Sequence, residues 1–121
     1  MKKIYYRKLV RDEIPKRIEE SGGKYQVKTL SGAGFKKEIL KKVGEEASGL
    51  AKSKVKSDIV SEMGDVLDVL GEVKKAFRIT STELSKSRAK EMKRKGGFGK
   101  RIYLLWAEDT GYRSNEKRGR K

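Results

Sequence analysis

The stretch from Ser57 to Val73 constrains the fold more than any other, because its apolar residues recur at alternating steps of four and three. At this spacing they form one stripe along a helix of 3.6 residues per turn. The stripe, continued one turn further, consists of Ile59, Met63, Val66, Leu70, Val73 and Phe77. A helix with one apolar stripe packs against a partner, so the sequence predicts a protein built from paired helices.

The same stretch contains five carboxylates and no Lys or Arg, although 32 of the 121 residues of the chain are basic. The carboxylates are Asp58, Glu62, Asp65, Asp68 and Glu72. With about 100° of rotation per residue, Glu62 and Asp65 lie roughly 60° and 120° from the apolar stripe, on the same flank. Three explanations remain open: a solvated helix face, an ion-pairing surface for Lys and Arg, and a site for a divalent cation.

The composition excludes several classes of chemistry. The chain has no Cys and no His, so disulfide frameworks, zinc fingers, thiol catalysis and histidine-based triads are ruled out. Oxygen ligands alone favour Mg²⁺, Mn²⁺ or Ca²⁺. The net charge of +15 indicates attraction to polyanions, which include nucleic acid, nucleotides and acidic surfaces.

Only 35% of the residues are apolar and 40% are charged, which favours amphipathic helices over a parallel sheet with two buried faces. We expect a mainly α fold: an antiparallel helical hairpin or bundle with a short N-terminal helix and short peripheral strands. Asp12 is placed to cap the N-terminal helix, and Pro15 falls in its first turn. The strands are expected at residues 3–10, as a strand or extended arm, at 24–29 and at 102–106.

A second helix is expected from Phe35 to about Lys52, after a loop formed by residues 31–34. Its apolar stripe is Ile39, Val43, Ala47 and Leu50. The short connection at residues 53–57 makes this helix an antiparallel neighbour of the acidic helix. A third helix is expected to begin at Thr80 or Ser81 and to run to about Lys95, with a thin apolar face.

Residues 1–108 are expected to form one domain, followed by a basic, disordered tail at 109–121. The apolar run at residues 103–107 is far shorter than the roughly 20 residues that span a bilayer, so no membrane association is expected. Charges interrupt the N-terminus before any signal-peptide core appears. We therefore predict a cytoplasmic protein.

Three carboxylates are expected to meet at one edge of the seam between the two central helices. Around Val43, Glu46 lies about 60° off the stripe and position 49 about 120° off, in the same rotational sense as Glu62 and Asp65. An antiparallel arrangement keeps these flanks on one side. A divalent cation would relieve the repulsion among Glu46, Glu62 and Asp65. Position 49, where a fourth ligand would fit, is Gly.

Three segments resemble one protein family. Glu45-Glu46 followed by Glu62-x-x-Asp65 resembles the EExxE...ExxD signature of the MazG-like, all-α nucleotide pyrophosphohydrolases, a superfamily that includes phosphoribosyl-ATP pyrophosphohydrolase. Residues 8–15, KLVRDEIP, resemble the KLVRDKIP opening of a small branch of it, and residues 96–102, GGFGKRI, resemble that branch's GGFEKRI-type segment. The matches occur in the expected order and cover about residues 5–106.

The resemblance implies Mg²⁺-dependent hydrolysis of a nucleoside triphosphate or related nucleotide between the α and β phosphates, with Mn²⁺ as a possible substitute. It implies that Glu46, Glu62 and Asp65 bind metal, that Asp68 supports a further ion, and that Glu45 either supports the metal ligands or orients the attacking water. We interpret four basic side chains as phosphate ligands, against the alternative of ordinary surface charge. They are Lys8, Arg11, Lys100 and Arg101.

The sequence departs from the family pattern at three positions. Gly49 replaces the third Glu of EExxE, Glu13 stands where the branch has Lys, and Gly99 stands where it often has Glu. The alternative function is therefore a catalytically inactive basic protein that binds nucleic acid or a protein partner through its surface and tail. The thin third helix and the resemblance both favour a homodimer or tetramer.

Overall fold

The computed structural model describes residues 2–111, which contain four helices and no strand. The helices are α1 (Ile14–Glu20), α2 (Gly32–Lys52), α3 (Lys56–Ala76) and α4 (Ser81–Lys95). The predicted mainly α fold is confirmed. The bounds of α3 and α4 agree closely with those expected from the sequence, and the hydroxyl of Thr80 accepts a hydrogen bond from the Glu83 amide at the start of α4.

The helical hairpin of α2 and α3 is the centre of the fold. The two helices pack against each other and are joined by residues 53–55 only, which makes them antiparallel neighbours as predicted. Ile39 on α2 is the one buried side chain within residues 2–111, and Val43, Leu50 and Val66 are half-buried in the seam. The predicted stripes are only partly covered: Ala47 on α2 is exposed, and so are four members of the α3 stripe, Ile59, Met63, Leu70 and Phe77.

The start of α2 differs from the prediction. The helix begins at Gly32, so interpreting residues 31–34 as a loop was wrong. Ser31 has extended backbone geometry, and its hydroxyl accepts a hydrogen bond from the Gly34 amide at 3.1 Å. This cap satisfies one of the free amides of the first turn, which lets the helix start among glycines that would otherwise disfavour it.

The short helix α1 forms where it was predicted, with Pro15 in its first turn. The capping prediction was wrong, since Glu13 rather than Asp12 occupies the position before the helix and its side chain accepts no capping hydrogen bond. The chain leaves α1 through Gly22, whose φ of +84° lies in the left-handed region that glycine adopts without steric cost.

The predicted peripheral strands are not formed at 3–10, 24–29 or 102–106 within the described part of the chain. A strand is held by hydrogen bonds to a neighbouring strand, and alternation alone supplies none. Tyr25 and Val27 alternate with polar residues as a half-buried strand would, yet both are exposed. Because no other part of residues 2–111 covers the side chains of Tyr25 and Val27, their alternation with polar residues does not stabilise a strand.

For the aromatic side chains outside the helices, the sequence favours packing in the core or seam over base stacking, and the structure contradicts this expectation. Phe98 is 94% exposed and Trp106 is 79% exposed, and Tyr5 and Tyr6 are also exposed. Arg7 and Lys8 lie over the rings of Tyr5 and Tyr6 at cation–π distances.

The chain divides into two compact units within α4, Met1–Lys86 and Ser87–Lys121. The first unit contains the hairpin, and the second contains the end of α4 and the irregular segment that follows it. The expected single domain at 1–108 stays a prediction. Of the expected disordered tail, residues 112–121 lie outside the described residues. None of the helices in residues 2–111 is long and apolar enough to cross a membrane.

Candidate metal centre

Three carboxylates from two helices converge on one edge of the hairpin. Glu46 projects from α2, and Glu62 and Asp65 project from α3 one turn apart. One oxygen atom of each carboxylate lies within 4.8 Å of the others, and all three residues are half-buried. These are the three residues that the helical geometry predicts to meet. We call them the carboxylate cluster.

Position 49 lies against the same cluster. A Cβ atom added to Gly49 would lie 2.8 Å from Oε2 of Glu62 and 3.2 Å from its carboxyl carbon. The backbone of α2 therefore approaches the Glu62 carboxylate more closely than a side chain would allow without a shift of that carboxylate. A side chain at position 49 would enter the cluster, in agreement with the position predicted for a fourth ligand.

Glu45, next to the cluster on α2, is bound by two lysines. Nζ of Lys8 donates a hydrogen bond to Oε1 of Glu45 at 2.5 Å, and Nζ of Lys42 lies 3.4 Å from the same oxygen. The Lys8 hydrogen bond lowers the pKa of Glu45, with a further contribution from Lys42, and the Glu45 carboxylate raises the pKa of Lys8. Glu45 is therefore held in its charged form.

Arg11 binds the other side of the cluster. Its Nη2 atom donates to Oδ2 of Asp68 at 2.8 Å and to Oδ1 of Asp65 at 3.0 Å. These carboxylates, Asp68 first, raise the pKa of Arg11. Lys8 and Arg11 were predicted to bind phosphate, and in the structure both are bound to carboxylates: Lys8 to Glu45 beside the cluster, and Arg11 to Asp65 of the cluster and to Asp68. Asp68 is linked to the cluster through Arg11, and its role as a ligand for a further ion stays a prediction.

Lys42 is a site residue that the sequence reasoning missed. Its Nζ atom lies 3.6 Å from Oε1 of Glu46 as well as close to Glu45, and its side chain is only 16% exposed. The signal was present, because Lys42 precedes Glu45 and Glu46 by three and four residues on a helix, the spacing at which side chains meet. Lys42 offsets part of the negative charge on the α2 side.

No known protein family, curated protein or solved structure matches this chain. The resemblance to MazG-like enzymes therefore stays a prediction that rests on the three sequence segments.

Charge pairing is uneven across the cluster. Asp65 is paired with Arg11 and Glu46 with Lys42, whereas Glu62 forms no ion pair with any residue from 2 to 111. An ion-pairing surface thus explains Asp65 and Asp68, as it does Glu72 with Lys75, but it does not explain Glu62. Three carboxylate oxygens at this spacing fit the donor set of a hard divalent cation, which prefers oxygen ligands.

The two remaining predicted phosphate ligands, Lys100 and Arg101, belong to the second compact unit. They lie in an exposed turn at residues 98–101, where Arg101 has a φ of +55° and its amide donates to the carbonyl of Phe98. Their role in phosphate binding stays a prediction.

Proposed function

We propose that this protein hydrolyses a nucleoside triphosphate or a related nucleotide at the anhydride between the α and β phosphates, giving a monophosphate and pyrophosphate. The observation that carries the proposal is the convergence of Glu46, Glu62 and Asp65, with one oxygen of each within 4.8 Å of the others. The reaction class is taken from the three sequence segments that resemble MazG-like enzymes, which occur in this chain in the same order as in that family.

The residues of the cluster would hold Mg²⁺, and Mn²⁺ could replace it. A bound divalent cation would lower the pKa of water and offset negative charge on phosphoryl oxygens. The protein's own residues would do the rest: Glu45, the neighbour of Glu46 on α2, would orient the attacking water. Basic side chains near the site would bind the phosphates of the substrate.

The direct test is to incubate the protein with a panel of nucleoside triphosphates and Mg²⁺ or Mn²⁺, and to measure pyrophosphate release. We expect release that stops when a chelator removes the cation and resumes when the cation is returned. Because the mechanism requires a divalent cation, activity that persists in chelator would contradict the proposed site.

The alternative is a catalytically inactive protein that binds nucleic acid. Phe98, Tyr103 and Trp106 are exposed beside Lys100 and Arg101 in the second unit, and aromatic side chains with basic neighbours are typical of surfaces on which bases stack. Triphosphates left intact across the whole panel, together with salt-sensitive binding to generic RNA or DNA, would favour this alternative.

The apolar surface of the hairpin supports the proposal that copies of the chain associate into dimers or tetramers. Val60, Met63 and Leu67 lie on α3 at helical spacing and are 60%, 49% and 64% exposed. Contiguous exposed apolar surface of this kind is typical of interfaces.

Replacing Leu67 by Lys is expected to shift the protein towards monomers, because the new charge would have to be buried in the interface. Light scattering at micromolar concentration measures the mass, and circular dichroism checks that the helices remain. Ser57→Lys is the control, since it adds the same charge at an exposed polar position of α3. A monomeric mass for the unaltered protein would contradict the proposal.

A further inference from the structure

Residues 8–11 lie beside the carboxylate cluster, and their basic side chains form ion pairs with both helices of the hairpin. Lys8 is bound to Glu45 on α2, and Arg11 is bound to Asp65 and Asp68 on α3. Lys8 and Arg11 are three residues apart, a distance of at most roughly 10 Å along the chain, and their ion pairs reach both sides of the seam at the level of the cluster. We call residues 8–11 the basic strap.

The strap and the cluster share one carboxylate, that of Asp65. The Asp65 carboxylate accepts a hydrogen bond from Arg11 and also supplies one of the three oxygens of the cluster. Glu45, the anchor of Lys8, is the immediate neighbour of Glu46. A guanidinium group and a divalent cation on the same carboxylate repel each other, so each lowers the affinity of the other.

The contacts of the strap are of a kind that can be released. The Arg11 side chain is 60% exposed and that of Lys8 is 41% exposed, and ion pairs in contact with water are weak. None of residues 8–11 lies in a helix, and a hydrogen bond of 3.1 Å from the amide of Ile14 to the carbonyl of Arg11 holds the backbone at one end of the strap. Just before it, Arg7 has a φ of +49°, a left-handed conformation that disfavours a residue with a side chain.

We propose that a divalent cation at Glu46, Glu62 and Asp65 displaces the basic strap, so that cation binding and strap docking exclude each other. This inference rests on the cation site of the proposed function and adds a regulatory contact to it. Displacement frees Lys8 and Arg11 from their carboxylates at the moment when the cation brings phosphates to the site. The same two residues then serve as phosphate ligands, so the sequence prediction and the observed ion pairs describe two states of one strap.

The first measurement is the affinity of the full chain for Mn²⁺ alone, by calorimetry or electron paramagnetic resonance. Arg11→Gln is expected to bind Mn²⁺ about threefold to fivefold more tightly, the effect of removing an exposed competing charge. Arg17→Gln is the matched control, because Arg17 is an exposed arginine on α1 that forms no ion pair within residues 2–111. Its affinity is expected to stay close to that of the unaltered protein.

The second measurement follows the strap itself. Mn²⁺ is expected to speed trypsin cleavage after Lys8 and Arg11, located by mass spectrometry, and to have no such effect in Glu62→Ala. Weaker or unchanged Mn²⁺ binding by Arg11→Gln would overturn the strap inference and leave the cation site standing. Mn²⁺ binding that is absent, or equal in the unaltered protein and Glu62→Ala, would overturn the cation site and the inference together.

Discussion

Replacing Glu62 by Ala is expected to lower pyrophosphate release by about 10² to 10³-fold, because it removes the carboxylate of the cluster that forms no ion pair within residues 2–111. A bound divalent cation contributes several kcal/mol of charge stabilisation in phosphoryl chemistry, and each 1.4 kcal/mol corresponds to a factor of about ten in rate. Steady-state release of pyrophosphate at saturating Mg²⁺ measures the loss. The same variant is expected to lose Mn²⁺ binding.

Glu72→Ala is the matched control for this experiment. It removes the same side chain from the same helix, but Glu72 is paired with Lys75 and lies outside the cluster. Its activity is expected to stay within about twofold of the unaltered protein, since exposed ion pairs contribute little.

Thermal unfolding separates a functional role of Glu62 from a structural one. When a chelator has removed divalent cations, Glu62→Ala is expected to have a higher melting temperature than the unaltered protein, because one of three mutually repelling carboxylates has been removed. A lower melting temperature, combined with full activity, would contradict the assignment of Glu62 to a cation site and would make it a structural residue.

The hairpin could be predicted from the sequence because its signal is periodic. The apolar stripes of α2 and α3 fix which flank each carboxylate occupies, and a short connection fixes the relative direction of the helices. Glu46, Glu62 and Asp65 therefore meet without any knowledge of side-chain packing. The position of Gly49 followed from the same rotation, and the close approach of its backbone to Glu62 agrees with it.

The contacts of Lys8 and Arg11 could not be predicted, because they depend on the course of a segment that has no periodic structure. The basic residues of this segment suggested phosphate binding, and their observed partners are carboxylates of the hairpin. The same reason explains why the strand predicted at 102–106 does not form: the segment has the right residue types, but no other segment within residues 2–111 pairs with it. Periodicity identifies an element that has a partner, and it is silent about segments held only by side-chain contacts.

The ion pairs of the strap also bear on how a basic chain holds acidic residues together. A cluster of carboxylates repels itself, and here Lys8, Lys42 and Arg11 offset the charge around its rim while Glu62 stays unpaired in the part of the chain that the structure describes. Ser57–Val73 itself contains no Lys or Arg, so the basic side chains that contact the cluster all come from other segments. Release of these ion pairs would therefore require no change in the backbone of α3.

Gly49→Glu is expected to raise pyrophosphate release about tenfold to hundredfold and to tighten Mg²⁺ binding by a similar factor, the usual range for changes in the groups that support a metal site. The new carboxylate would enter the cluster beside Glu62. Its Cβ requires a shift of the Glu62 carboxylate, which is the far end of a flexible side chain and can move at little cost. Replacing glycine in a helix also contributes up to about 1 kcal/mol of stability.

Gly44→Glu is the matched control, because it adds the same charge to the same helix at a position where a new Cβ meets no atom within 4 Å. The two variants should differ in how their melting temperatures respond to Mg²⁺. Gly49→Glu adds a fourth carboxylate to three that already repel, so its melting temperature should rise with Mg²⁺ by more than that of the unaltered protein. Gly44→Glu should respond as the unaltered protein does. If Gly49→Glu gains neither activity nor this Mg²⁺ response, the residue at position 49 is not a missing ligand, and the flank of the hairpin where it lies is not a cation site.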